Sequence, residues 1–330
     1  MLLEVEDLHT EFAPKRRPVV QAVRGVSFGV DRGETLGVVG ESGSGKSVTA
    51  LSIARLIDPP GKTTQGKVRL GGVELLDLNE KEMRRVRGAK IAFVFQDPMT
   101  ALNPVLTVGQ QLTETILAHQ KLSPSKARTA AIEWLDRVHI ALPDHRFNQY
   151  PYELSGGMRQ RVMLAIAFSC RPEVIIADEP TTALDVTVQA QILNIISELK
   201  SDLGTAVLLI THDLSVVAER CDRVVVMYAG QIVEEASAAM LFTQPKHPYT
   251  RALLESIPDV WARQDNASPL RFLPGQPPKL IKGRIPAGCS FYRRCPVGFA
   301  DCPVKQPDLI SVGQGHFGRC LLLKPSDKYN

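Results

Sequence analysis

The chain contains no apolar run near the roughly twenty residues needed to cross a bilayer. Its opening, Met1-Leu-Leu-Glu-Val-Glu-Asp7, is acidic where a signal peptide is basic. A cytoplasmic location is therefore expected. No segment repeats, so arrays of repeated units are excluded and each motif below occurs once. There is no basic run with interleaved aromatics, which removes the main sequence support for nucleic-acid binding. Cysteine is scarce through most of the length: only Cys170 and Cys221 precede residue 289, and both read as buried thiols. The other four fall in the last 42 residues. In a cytosolic chain such crowding points to metal before disulfide.

The 330 residues can hold one large or two modest domains, and 44% apolar with 22% charged residues is an ordinary soluble composition. Charge is divided unevenly. Through Trp261 there are 28 Lys/Arg against 31 Asp/Glu, and from Ala262 onward 11 against 4. The basic tail is either a solvated surface or a binder of anionic lipid or of an anionic cofactor.

The strongest motif is Gly40-Glu-Ser-Gly-Ser-Gly-Lys46-Ser47, a complete G-x-x-x-x-G-K-[ST] pattern. Thr35 to Val39 before it is an apolar strand, and Ser47 to Ile57 after it carries apolar residues at helical spacing. Glycines at 40, 43 and 45 allow the backbone to turn its N–H groups inward at the positive end of the helix. This is a phosphate cradle, with Ser42, Ser44 and Val48 in the same stretch. Lys46 supplies charge for β/γ-phosphates and the Ser47 hydroxyl can ligate Mg²⁺.

Around it the chain alternates. Short strands are expected before residue 33, Asp58-Pro-Pro-Gly61 stops the first helix, and a hairpin turns at Gly71-Gly72. A polar helix covers Asn79 to Arg87 and a strand Ile91 to Phe95. Helical spacing then holds to about Pro172, and strands return at Val174–Ala177 and Ala206–Ile210 with helices after each. Another hairpin turns at Ala229-Gly230. The fold class is α/β: a central, mostly parallel sheet with helices on both faces, an antiparallel β subdomain and a helical insertion at about 97–173. Prolines at 258, 269, 274, 277, 278 and 286 mark a linker over 256–288.

Asp178-Glu179 ends the Val174 strand, Ile210-Thr-His212 ends the next, and Gln96 ends a third. Parallel strands of this kind would bring their tips to one crevice. Asp178 would hold Mg²⁺, Glu179 would polarise water as general base, His212 would contact the γ-phosphate, and Gln96 would reach Mg²⁺ or water. Leu154-Ser-Gly-Gly-Met158 opens another helix with Ser155 placed as N-cap.

Taken in order, these motifs and Ala183-Leu-Asp185 closely resemble the ATPase subunits of ATP-binding-cassette (ABC) transporters over residues 1 to about 255. The resemblance implies that two cassettes close head to tail around two ATP molecules. Ser155, Gly156 and Gly157 would touch ATP held by a second ABC ATPase, expected as a heterodimer partner, and Asp185 would line the seam. Phe12 matches the position that stacks on adenine. The helical insertion and Gln96 would receive a coupling helix from one of two transmembrane permease subunits. The chain would sit peripherally on the cytoplasmic face of the inner membrane.

Cys289, Cys295, Cys302 and Cys320 are spaced neither as a zinc ribbon nor as a bacterial ferredoxin. Gln244-Pro-Lys-His-Pro-Tyr-Thr250, the proline-rich linker and the cysteines of 289–330 resemble the C-terminal extension of dipeptide and oligopeptide importer ATPases. That implies a [4Fe–4S] cluster, with zinc or free thiols as alternatives, and an extracytoplasmic solute-binding protein as partner. The competing class is a soluble ABC ATPase acting on nucleic acid or ribosomes. Such proteins carry two cassettes or a long insertion between the phosphate loop and the Leu154 motif, and this chain has neither; no nucleic acid is expected.

Overall fold

The computed structural model describes residues 1–182, 184–256 and 273–326. Prolines 258 and 269 of the expected linker and Ala183 of the Ala183-Leu-Asp185 motif lie outside the described residues. In chain order the strands are β1 (Leu3–Phe12), β2 (Val20–Val30), β3 (Thr35–Val39), β4 (Gly61–Leu70), β5 (Val73–Glu74), β6 (Ile91–Val94), β7 (Val174–Asp178), β8 (Ala206–Ile210), β9 (Arg223–Tyr228), β10 (Gln231–Ser237), β11 (Ile310–Gly313) and β12 (His316–Gly318). The helices are α1 (Lys46–Ile53), α2 (Glu80–Val86), α3 (Pro98–Ala101), α4 (Val108–His119), α5 (Pro124–Arg137), α6 (Pro143–Phe147), α7 (Gly156–Phe168), α8 (Val186–Leu203), α9 (Leu214–Arg220), α10 (Ala238–Thr243) and α11 (Pro248–Glu255). They divide into two compact units.

The first unit comprises Met1–Leu3, Gly29–Thr35 and Arg69–Ile210. Its sheet is β6-β7-β8, all parallel, with Ile91 opposite Val174 and Asp178 opposite Ile210. Every residue of β7 and β8 is buried, which explains their unbroken apolar sequences. Asp178 is the one charged group among them. Helices α3 to α7 form the helical insertion. Thr107 caps α4 in a capping box with Gln110, and Ser123 caps α5 ahead of Pro124. Leu112, Ile116, Ala131 and Leu135 are fully buried there. Each such Leu or Ile contributes about 1.5–3 kcal/mol by leaving water.

The second unit comprises Glu4–Phe28, Leu36–Val68 and the chain from Thr211 onward. Strands β2, β1 and β4 lie side by side in that order. Separately, β3 pairs parallel with β9, and β9 pairs antiparallel with β10 through the Ala229-Gly230 turn, where both residues have positive φ. The tail then adds to this sheet: β12 pairs with β10, Glu234 opposite Gly318, and β11 pairs with β12.

Several boundaries differ from the sequence expectation. Helix α1 ends at Ile53 rather than Ile57 because Arg55 adopts a left-handed φ of 53°. Strand β4 runs back from the Gly71-Gly72 turn as far as Gly61, because the polar run Lys62-Thr-Thr-Gln65 is held by its neighbour strand rather than by burial. Strand β5 keeps only two residues. Within the expected linker, Gln21 N–H donates to the Leu280 carbonyl at 2.8 Å and Lys282 N–H to the Val19 carbonyl at 2.8 Å, so residues 280–282 pair along the edge of β2. No helix among the described residues is long and apolar enough to cross a membrane.

Candidate functional site

In the second unit, β3 runs into the glycine-rich loop and then α1. Gly40 has φ 152°, and a Cβ there would run into the Met227 carbonyl; Gly45 has φ 103°, and a Cβ would lie 2.6 Å from the Ala22 carbonyl oxygen. No other residue type fits either position. The loop curls around Lys46, which is only 5% exposed and donates to the Gly40 carbonyl at 2.7 Å and the Glu41 carbonyl at 3.1 Å. No side chain caps α1, and the Ser44 hydroxyl is buried without a hydrogen-bond partner among the described residues. An uncapped helix start, a buried ammonium held by loop carbonyls and an orphaned hydroxyl in one loop fit a phosphate group, whose oxygens would accept from the helix N–H groups, the ammonium and the hydroxyl alike. Gly43, Ser42, Ser47 and Val48 belong to the same loop and first turn.

Phe12 ends β1 half-buried, its ring against Gly61, where a Cβ would lie 2.6 Å from Phe12 Cε1. His212 is exposed in the turn before α9; beside it the Thr211 hydroxyl accepts from Asp213 N–H at 3.0 Å, and Asp213 caps α9.

In the first unit, Asp178 closes β7 with 7% of its surface exposed. Glu179 follows at φ 47°, a left-handed conformation costly for a residue with a side chain. Its N–H donates to the Ile210 carbonyl at 2.9 Å, and its Oε2 accepts from Gln96 Nε2 at 3.1 Å and Thr182 Oγ1 at 2.9 Å. Of the strand-end residues expected at one crevice, Gln96 and Glu179 are brought together. The Ser155 hydroxyl accepts from Met158 N–H at 3.3 Å and caps α7; Asp185 accepts from Val188 N–H at 2.9 Å and caps α8. These two helix starts touch. A Cβ on Gly157 would lie 2.8 Å from Val188 Cγ1, whereas one on Gly156 finds nothing nearer than 3.8 Å. Ser155 and Gly156 are exposed.

The tail gathers its four cysteines. Cys289, Cys295, Cys302 and Cys320 line one small pocket with His247, Phe291 and Leu321. Backbone N–H groups of Phe291, Val297 and Leu322 reach the sulfurs of Cys289, Cys295 and Cys320, and Phe299 N–H donates to Cys302 Sγ at 3.5 Å. Burial first, and the neighbouring sulfurs second, push the Cys289 thiol up to about 11 and raise Cys295 and Cys320. Among the described residues no set of three or more His, Cys, Asp or Glu side chains is arranged as a ready metal-binding group. The donor chemistry nevertheless suits thiolates around a cationic core: four sulfurs line one pocket and each has a backbone donor.

Sequence reasoning missed the residues that join this tail to the phosphate loop. Arg294 forms a two-pronged ion pair with Glu41, and the Tyr249 hydroxyl accepts from Glu41 N–H at 2.8 Å. It also missed a buried network in which Glu234 accepts from the Lys246 and His247 N–H groups at 2.6 and 2.8 Å and lies 2.7 Å from His316 Nε2. Burial raises the Glu234 carboxyl, but these partners outweigh it and hold it below the usual range. Glu234 is one of two adjacent glutamates in β10, and nothing in the local sequence marks it as the buried one.

A family model described as ABC transporter matches residues 23–182, and one described as oligopeptide/dipeptide transporter, C-terminal region, matches residues 233–302. The chain is 53% identical to a probable peptide ABC transporter ATP-binding protein of Sinorhizobium fredii, covering 97% of this chain and 94% of that one. It is 46% identical to the oligopeptide transport ATP-binding protein AppD of Bacillus subtilis and 46% to the dipeptide transport ATP-binding protein DppD of Escherichia coli, in each case over 97% of this chain and 96% of the other. Among solved structures it is similar to a dimeric ATP-binding cassette in a post-hydrolysis state with ADP and phosphate, at TM-score 0.64 and 28% identity, covering 72% of this chain and 98% of that one.

Proposed function

Because the chain belongs to the ATP-binding subunits of ABC transporters, in the oligopeptide and dipeptide branch, we propose that it is the ATP-hydrolysing engine of an importer for di- or oligopeptides or similar solutes. The observation that carries this reading is the extent of the likeness, which runs through 97% of the chain, tail included. It is an ATPase, and ATP with Mg²⁺ fits its family.

The residue roles are ours. Lys46 lays its charge on the β/γ-phosphates, and Gly40, Ser42, Gly43, Ser44, Gly45, Ser47 and Val48 wrap them. Ser47, Asp178 and Gln96 would hold Mg²⁺, which supplies charge neutralisation on the phosphates when bound. Glu179, its carboxylate fixed by Gln96 and Thr182, takes the proton of the attacking water, and His212 contacts the γ-phosphate. Support for assigning these groups to one nucleotide is the family's motif order. Ser155, Gly156 and Gly157 present their helix N-terminus to ATP held by a second cassette, with Asp185 beside them, and Phe12 stacks on adenine.

Partners are the second ATPase, two membrane subunits and an extracytoplasmic binding protein; the chain sits peripherally at the inner face of the membrane. We read 1–255 as the cassette, 256–288 as linker and 289–330 as a cysteine-bearing extension. Cys289, Cys295, Cys302 and Cys320 would hold a [4Fe–4S] cluster of structural role; the basic excess of the tail offsets its negative charge.

Affinity purification of the tagged chain from native membranes tests the assembly. A second cassette and two polytopic subunits are expected. Recovery only from the soluble fraction with nucleic acid or ribosomes would overturn the importer reading. Iron and acid-labile sulfide in anaerobically purified protein test the cluster, and a folded, iron-free tail would refute it.

A further inference from the structure

We propose that Arg294 is a positioning residue for the phosphate loop, and that the cysteine-bearing tail acts through it to set the affinity for ATP. The inference rests on the reading of the loop as the ATP cradle and, for its second half, on the cysteines holding a cluster.

Glu41 is the second residue of the glycine-rich loop, and all three of its polar parts are engaged. Its carboxylate takes Arg294 Nη1 at 2.7 Å and Nη2 at 2.9 Å, its N–H donates to the Tyr249 hydroxyl at 2.8 Å, and its carbonyl accepts from Lys46 at 3.1 Å. The guanidinium side is the more buried: the Arg294 side chain is 6% exposed, that of Glu41 25%. Arg294 Nε also donates to the Pro274 carbonyl at 2.9 Å. A fork-to-fork pair with a further backbone acceptor fixes orientation as well as distance. Through Glu41, the tail therefore reaches the carbonyl that holds the phosphate-binding lysine.

The other end of the strut is the cysteine pocket. Arg294 immediately precedes Cys295. Phe291, fully buried, sends its N–H to Cys289 and packs its ring 5.3 Å from Tyr228 and 5.4 Å from Tyr249, the residue that holds the Glu41 N–H. Whatever orders Cys289 and Cys295 therefore orders both Phe291 and Arg294. A simple staple between tail and cassette would need none of these contacts to converge on Glu41.

The test measures nucleotide Kd with a fluorescent ATP analogue, and ATPase KM and kcat, for the full chain in its assembled complex. Arg294→Gln is expected to raise Kd and KM about tenfold, the effect of losing one charge-assisted pair, with a smaller change in kcat. Arg294→Lys should recover part of the loss, since it keeps the charge without the fork. Glu41→Gln, which preserves shape, serves if Arg294→Gln misfolds, and the double variant should be no worse than the worse single. Unchanged Kd and KM in folded Arg294→Gln or Glu41→Gln protein, even with a lowered Tm, would overturn the proposal. Stripping iron from anaerobically prepared wild type should raise KM, and should do nothing further to Arg294→Gln. A KM indifferent to stripping would remove the tail's control while leaving the Arg294 result to stand or fall alone. If no iron is present, the cluster reading fails and the Glu41–Arg294 cycle still decides the positioning role.

Discussion

Two helix N-termini in this chain present the same chemistry in opposite settings. The start of α1 is sunk among other groups: Lys46 is 5% exposed, Gly45 backs onto the Ala22 carbonyl, and Glu41 is held by Arg294 and Tyr249. No side chain caps it. The start of α7 is exposed at Ser155 and Gly156 and is satisfied by its own Ser155 hydroxyl. The first is enclosed by several distant segments, whereas the second touches the start of α8 and is otherwise open at Ser155 and Gly156. The difference suits one helix end that builds a pocket for its own nucleotide and another that waits on the surface for a nucleotide brought by a partner.

The comparison breaks most directly at Lys46. Lys46→Ala should weaken ATP binding about a hundredfold, since an ammonium contributes two or more charge-assisted contacts; titration calorimetry giving a Kd within twofold of wild type would show that the buried end is not the cradle. The buried end should also feel pH. His247 Nδ1 accepts from Tyr249 N–H at 3.0 Å and the ring's other nitrogen meets the Arg319 carbonyl, so the neutral ring is satisfied on both sides. Burial lowers its pKa from 6.5 to about 4, with Glu234 and Arg319 the facing charges. The unfolded chain then binds the proton more readily than the folded one. Stability should be complete above about 6.5 and fall by about 1.4 kcal/mol per pH unit toward 4. Hydrogen exchange along α11 should register this loss, and α7 should be spared.

At the exposed end the effects are smaller and of another kind. Ser155→Ala removes a cap worth about 1 kcal/mol and one contact to the partner's ATP, so turnover of the complex should fall about tenfold while the chain's own nucleotide affinity stays put. A matching loss of affinity would mean that the two helix ends serve one site. Asp185→Asn, which retains the cap on α8, should change stability by no more than about 0.5 kcal/mol, measured by denaturant unfolding; a loss several times larger would give the carboxylate charge itself a structural task.

Much of this was legible in the sequence because it is local. The positive-φ glycines at 40, 43 and 45, the cap Ser155, and the turns at Gly71-Gly72 and Ala229-Gly230 are written in local sequence, and the structure places them as expected. What was not legible depends on pairing at a distance. The polar part of β4 and the tail hairpin β11–β12 have little apolar patterning and exist because neighbouring strands hold them. Gln96 and Glu179 could be paired by strand-end reasoning, but Glu41 and Arg294 lie 253 residues apart with no motif to link them. The cysteine spacing named no known ligand pattern; folding, not spacing, brings the four sulfurs to one pocket.

The most direct test of the central claim is ATP hydrolysis by the complete complex in vesicles, measured with and without a mixture of short peptides and their binding protein. Peptide should stimulate hydrolysis, and Glu179→Gln should abolish it while ATP stays bound. Hydrolysis that ignores peptide but rises with nucleic acid or ribosomes would contradict the importer account.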